Sequence, residues 1–447
     1  MNDSRRRLPL TQKEILALAV PVMISNVSTP LLGVVDTAVV GRIPDPAYIG
    51  AVALGGLIFG FVFWAFGFLR MGTTGMTAQA LGANDVPEIV AGLGRALLIA
   101  GGIGLALIVL QWPIRQIAFA LLESGSQVES LSRSYFDIRI WSAPATLANY
   151  ALLGWFIGLG RTKTGLLLQL ILNVTNMALD LLFVFGLGWD VRGVATGTLI
   201  AEWVAAGAGV YVASRHIHSL GASWRGQSLI VSQKLRRTLS VNGDIMIRSL
   251  ALISAFSWFT AAGARQGEVI LAANAVLMQF VAVSAYFLDG IAFSTEALVG
   301  KAIGAANRAG LVVAARMTTA SAAGIALLIS AMIALIGPAS IELMTVDPAT
   351  RKAALEYLPW AAAGPVVGVW AFQLDGIFIG ATRTIDMRNA MLVSLAIFLA
   401  GWWLLKPFGN HGLWGALYVH YFARIGSLYY YYPRLVASVP NYGPSTL

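Results

Sequence analysis

Four polar side chains lie in two stretches that are otherwise apolar. Leu172-Asn173-Val-Thr-Asn176-Met-Ala-Leu-Asp180-Leu places two amides and a carboxylate at i, i+3 and i+7, on one face of a helix. Asn26 to Arg42 is apolar almost throughout, with one carboxylate, Asp36, six residues after Pro30. Nearby, Gly193-Val-Ala-Thr-Gly-Thr198-Leu-Ile-Ala-Glu202 adds a hydroxyl and a third carboxylate at i, i+4. Such groups can take up protons, hold a cation or hydrogen-bond a polar ligand. Inside a bilayer they are costly: at least about 2.5–3.5 kcal/mol for an ionised Asp at a helix centre, and several for each unsatisfied polar group. The asparagines alone serve equally well as bonds between helices, and Asp180 tips the face toward an ion or substrate site. Thr196 more simply bonds its own helix's carbonyls. Glu202 fits either a site or a structural pair with a buried arginine such as Arg70.

The composition makes this a membrane problem. The 447 residues are 57% hydrophobic and 11% charged, with mean hydropathy +0.74, against about 25% charged in soluble domains. No cysteine is present, which excludes disulfides, thiolate metal sites and cysteine nucleophiles. There is no G-x-x-x-x-G-K-[ST] loop, no H-E-x-x-H and no local Ser–His–Asp set, and the four histidines are scattered. An enzyme, a resident metal and an organic cofactor are therefore not expected. The net charge of +9 reads as basic loops on the cytoplasmic side, not as a nucleic-acid surface. Arg5, Arg6 and Arg7 precede an apolar run too long for a signal peptide and without a clean cleavage site, so that run is the first span.

Runs long enough to span fall near 14–41, 50–74, 90–112, 134–159, 164–187 and 193–214, and again near 241–262, 269–300, 311–336, 355–381, 388–406 and 412–436. Twelve spans put both termini on one side. With the termini inside, 18 of the 30 Lys and Arg lie inside, 8 outside, and Arg70, Arg139, Arg248 and Arg424 within spans, a bias that makes the termini cytoplasmic. Gly154-Trp-Phe-Ile-Gly-Leu-Gly-Arg161-Thr recurs as Gly376-Ile-Phe-Ile-Gly-Ala-Thr-Arg383-Thr, and Ala80-Leu-Gly82-Ala as Ala302-Ile-Gly304-Ala, both at an offset of 222. The expected fold is all-α: an N-lobe (1–214), a cytoplasmic linker (215–240) and a C-lobe (241–447). Each lobe has six spans, and a pseudo-two-fold axis along the membrane normal relates them across a central cleft. The offset maps Asp36 onto Trp258 and Asp180 onto Trp402, so ion chemistry belongs to the N-lobe alone. The C-lobe has intramembrane charges of its own: Asp289 and Glu296 on one face, Asp375, and the i, i+4 pair His420 and Arg424. Arg248 and Lys301 are candidate partners for Asp289 and Glu296, and paired buried charges are often structural.

Val-Val-Asp36-Thr-Ala-Val-Val-Gly-Arg42, Asp180-Leu-Leu-Phe-Val-Phe-Gly-Leu-Gly-Trp189, Gly193-Val-Ala-Thr-Gly and Asp375-Gly-Ile-Phe-Ile-Gly-Ala-Thr-Arg383 resemble the multidrug and toxic compound extrusion (MATE) family over nearly the whole chain. The seventh span lacks the acid that the sodium-linked NorM-type branch carries there, which points to the DinF-like branch. The resemblance implies secondary active efflux of bulky cationic or amphipathic organic compounds, in exchange for inward protons or, alternatively, sodium. It implies a monomer in the bacterial inner membrane, with small-molecule substrates and the lipid bilayer as its partners and no nucleic acid. Carried over by motif, Asp36 and Asp180 are the coupling acids, with Asn176 and Thr198 completing their network. Asn173, Asn149 and Glu202 are further network candidates, and Pro21 or Pro30 is the hinge of a first helix that bends on protonation. Two carboxylates in one low-dielectric pocket do not both ionise cheaply, so proton uptake would remove charge, rearrange hydrogen bonds and favour the kinked helix. A lipid-linked oligosaccharide flippase of the same superfamily is the alternative, resting on the cations Arg70, Arg248 and Arg424.

Overall fold

The computed structural model describes residues 10–43, 45–122, 125–224 and 231–440. Arg5 to Arg7 and Arg225 lie outside them. The chain forms two compact units. One comprises residues 24–77 and 85–239, the other residues 1–23, 78–84 and 240–447.

The first unit holds α2 (Pro46–Trp64), most of α3 (Phe68–Gly82), α4 (Val86–Val109), α5 (Gln111–Leu121), α6 (Ser126–Arg139), α7 (Ala143–Gly158), α8 (Thr162–Leu181) and α9 (Asp190–Ser219). A 3-10 turn joins α6 to α7, and a π-helical turn, Leu182–Gly186, ends α8. The core is aromatic. Trp155 is fully buried and donates its Nε1–H to the Ile89 carbonyl at 3.0 Å, and Phe59 stacks on Phe136 with centroids 5.2 Å apart. In hydrocarbon even an indole N–H needs its acceptor.

The second unit holds most of α10 (Ser232–Ala264), then α11 (Glu268–Gly304), α12 (Arg308–Met344), α13 (Pro348–Gly380), α14 (Thr384–Leu405) and α15 (Gly409–Ser438). Phe259 meets Trp414 edge-on at 5.2 Å within an apolar core. The amides of Asn274 and Asn410 exchange hydrogen bonds of 2.8 and 2.9 Å, and Trp414 Nε1 donates to Asn274 Oδ1 at 3.0 Å. The remaining helix, α1 (Gln12–Val40), contributes residues up to Met23 to the second unit and from Ile24 onward to the first.

The twelve spans are α1, the α2–α3 pair, α4, the α6–α7 pair, α8 and α9, then α10 to α15. Among the described residues nine continuous helical stretches meet a strict length and hydropathy criterion, one of them containing both α14 and α15. The α6–α7 pair carries polar residues that dilute its hydropathy. The helix α5 was not expected, and helix enters the 215–240 segment from both ends.

The repeat extends to backbone detail. α3 and α11 end at Gly82 and Gly304, α4 and α12 begin at Val86 and Arg308, and α7 and α13 end at Gly158 and Gly380. The αL positions Asn84 and Gly160 recur as Ala306 and Thr382, and the N-caps Asp85 and Asn307 each bond the backbone N–H three residues on. The paired motif glycines have a shared reason. A Cβ on Gly82 would overlap the Lys301 carbonyl, and one on Gly304 the Gln79 carbonyl. Position 79 corresponds to 301 as 82 does to 304, so the contact is reciprocal and as close as small residues allow.

At the far end of α13, Asp347 caps the helix, accepting from Thr350 N at 2.8 Å and Thr350 Oγ1 at 2.6 Å. The Thr350 hydroxyl, then its backbone N–H, hold this carboxyl below the usual carboxylate range. A lowered folded value contributes stability above the unfolded value and loses it as pH falls through the folded one. Asp347→Ala is therefore expected to lower the thermal midpoint at pH 7, with the difference from the parent protein shrinking as the pH falls below the usual carboxylate range. Equal midpoints at pH 7 would remove the cap from the account.

Candidate functional site

α1 and α8 bring the two sequence-marked acids together. Asp36 is 8% exposed and Asp180 fully buried, and both carboxyl groups come within hydrogen-bonding distance of one amide. Asn176, one turn before Asp180 on α8, bridges the pair. With its nitrogen toward the acids, it donates to Asp36 Oδ1 at 3.2 Å and to Asp180 Oδ2 at 3.3 Å. This amide orientation satisfies both ends and is assigned from the network. Its oxygen then accepts from Thr198 on α9, from N at 3.2 Å and Oγ1 at 3.1 Å. The Thr198 hydroxyl is also 2.9 Å from the Val194 carbonyl, and its single proton serves one acceptor at a time.

Gly197 sits directly against this pair. A Cβ there would overlap Asp180 Oδ1. Gly197→Ala is expected to displace the carboxyl, with overpacking of about 1–3 kcal/mol and a loss of transport larger than the loss of stability. Unchanged transport rates in liposomes would contradict this placement.

One helical turn from Thr198, Glu202 begins a second branch. Asn149 on α7 donates its Nδ2–H to the Glu202 carboxylate at 2.8 Å and to its carbonyl at 3.1 Å. Arg139, at the end of α6, lies 3.7 Å from the same carboxylate. It also hydrogen-bonds Ser142 and faces the Phe59 and Phe63 rings at 5.5 and 5.6 Å. The arginine beside Glu202 is therefore Arg139, where the sequence reading named Arg70. Arg139 stood in the sequence as an arginine within a span, as anomalous as either aspartate, and that was the signal for it. Asp36, Asp180 and Glu202 against the single Arg139 leave this cluster with surplus negative charge whenever all three acids are ionised.

Asn173 takes a different part. Its Nδ2 donates to the Ser28 carbonyl of α1 at 3.3 Å, and its Oδ1 accepts from Gln169 at 3.0 Å. It ties α8 to α1 without touching the acids. Thr196 donates to its own helix at the Arg192 carbonyl, 2.7 Å away. Pro21 is buried and lies two residues before the point where α1 passes from one unit to the other, whereas Pro30 is exposed and well inside the first unit. The counterparts of the acids are apolar in use: Trp258 packs under Arg265 at 5.4 Å and Trp402 against the second unit's core.

Buried charges also meet in the second unit. Arg248 and Arg424 both close on Asp375, and all three are buried. Asp289 acts on Arg424. His420 is fully buried against the Ser394 carbonyl at 3.2 Å. Span seven does contain an acid, Asp244. It lies twelve residues into α10 and is held from the first turns of α14, by Arg388 at 2.7 Å and the Thr384 hydroxyl at 3.0 Å. Among the described residues no group of three or more His, Asp or Glu is placed to hold a metal ion.

The MatE family model matches residues 21–182 and again 245–406, the second copy starting 224 residues after the first. The chain belongs to the MATE family. It is a multi-pass membrane transporter, and it shares 40% identity over 419 residues with the DNA damage-inducible protein F of Escherichia coli K12, covering 92% of this chain and 90% of that protein. Multidrug resistance protein PmpM of Pseudomonas aeruginosa is 25% identical over 92% of this transporter and 89% of its own length. Solved structures of MATE in bent and in straight conformations superimpose with TM-scores of 0.87 and 0.85, each at 19% identity over 95% of this transporter and 96% of the other chain. At that identity they establish the fold alone.

Proposed function

We propose that this transporter expels bulky organic cations in exchange for protons, with Asp36 and Asp180 as the proton carriers. The observation that carries the reading is a buried cluster in which one amide, Asn176, bridges the carboxyls of Asp36 and Asp180, with Glu202 and Arg139 one turn beyond Thr198. Its surplus negative charge can be neutralised by protons or by an organic cation, and competition between the two is what an antiporter requires. The Asn176 amide holds the two carboxyls close to one another, where taking up a proton relieves their mutual repulsion.

Protonation removes charge and frees the Asn176 and Thr198 bonds to rearrange. Pro21 is the hinge this reading favours, because it lies where α1 changes units. Asn149 and Arg139 hold Glu202 in place as the third acid. The flippase reading loses its cationic cavity, since Arg248 and Arg424 are taken up by Asp375. We further place the protein as a monomer in the bacterial inner membrane with cytoplasmic termini, in keeping with the distribution of Lys and Arg.

The test is efflux of a fluorescent organic cation from liposomes under separately imposed proton and sodium gradients. Efflux driven by protons alone is expected. Efflux that follows only the sodium gradient would overturn the assignment of the ion.

A further inference from the structure

Arg316 and Gln373 take no part in the acid site. Both line an open groove of about 380 Å³ in the second unit, formed by α12, α13 and α15. Arg316 lies eight residues from the start of α12, Gln373 seven from the end of α13 and Tyr432 six from the end of α15. At 1.5 Å per residue each is about 9–12 Å from its helix end. Two of these ends are joined directly, since Arg308 donates to the carbonyls of Val439 and Ala437 at 2.8 and 3.0 Å. The third, α13, ends at Gly380, whose carbonyl accepts from Gln79 at 2.9 Å beside Gly304, just before α12 begins. A guanidinium, a phenol and an amide thus line the groove at one level.

Two of these groups are short of partners. The Arg316 charge acts on the Tyr432 phenol, and no carboxylate pairs with it among the described residues. Gln373 is 1% exposed. Its Oε1 accepts from Thr295 at 2.8 Å, while its Nε2 has no acceptor among the described residues. Farther from that end the groove is walled by Ala320, Ala323 and Trp370, with no charge. The chemistry sought is one anionic, acceptor-rich group carrying an apolar tail.

We propose that the groove binds an anionic phospholipid of the surrounding bilayer, its phosphate at Arg316, Tyr432 and Gln373 and an acyl chain along Ala320, Ala323 and Trp370. Basic pockets between membrane helices favour such headgroups, and Trp and Tyr rings are at home at that level. A neutral lipid leaves Arg316 without a counter-charge, and inorganic phosphate makes no use of the apolar wall.

The experiment is native mass spectrometry of the full-length protein, delipidated in neutral detergent and titrated with phosphatidylglycerol or with phosphatidylcholine of the same chains. Saturable binding of phosphatidylglycerol is expected, weakened about fivefold by Arg316→Gln. Ala320→Phe, which fills the tail region without touching the charge, should weaken it as well. Equal binding of phosphatidylcholine, displacement by inorganic phosphate, or a variant that binds phosphatidylglycerol like the parent would each overturn the proposal.

Discussion

Asp36→Asn is expected to leave the protein folded and to abolish proton-driven efflux, reducing it to the rate seen without a gradient. The amide has the size of the carboxyl and keeps a hydrogen-bonding group facing Asn176 and Asp180, so the pocket stays filled. It cannot gain or lose a proton, and the gradient then has nothing to act on. The energy withdrawn is large: about 1.4 kcal/mol per pH unit and about 2.3 kcal/mol per proton for each 100 mV of membrane potential. At two pH units the pH term alone corresponds to roughly a hundredfold concentration ratio of substrate. Asp180→Asn should behave alike, because a shared proton needs both carboxyls. If either variant keeps gradient-driven efflux in liposomes, the pair is not the coupling device.

The second large effect concerns stability. Asp375 is held between Arg248 and Arg424, all three buried. Asp375→Ala removes the carboxylate that both guanidinium groups share. Removing one member of a buried ion pair costs about 3–5 kcal/mol, so the thermal midpoint in detergent should fall by roughly 10 °C. Replacing all three charges with apolar residues of matching volume should recover much of that loss, since the desolvation penalty goes with them. A single variant as stable as the parent would show that the triad is not a structural pairing. The expected contrast with Asp36 is clear: one variant folds and does not couple, the other is impaired in folding.

What could be read from the residues follows from the range of the interactions. The repeat was legible because Gly82, Gly304 and the Gly154 and Gly376 motifs answer to backbone approaches that tolerate no side chain. The face holding Asn176 and Asp180 was legible because helical spacing is local. That Asn173 on the same face bonds α1 and not the acids was not legible, since one face of a helix meets more than one neighbour. Arg139 was visible as an intramembrane charge, but its pairing with Glu202 joins residues 63 positions apart, and spacing says nothing of such partners. The same holds for Arg248 with Asp375. Asp244 escaped because it lies at the margin of its span, where an acid costs little and finds Arg388.

The central claim is that protons, carried by the Asp36 and Asp180 pair, exchange for the organic cation. The most direct measurement is the lumenal pH of sodium-free proteoliposomes, read with an entrapped dye while an organic cation is added on one side. The account predicts a pH change in step with cation transport in the parent protein, and none in Asp36→Asn or Asp180→Asn. Cation transport without any pH change, or an identical pH change in the variants, would contradict it.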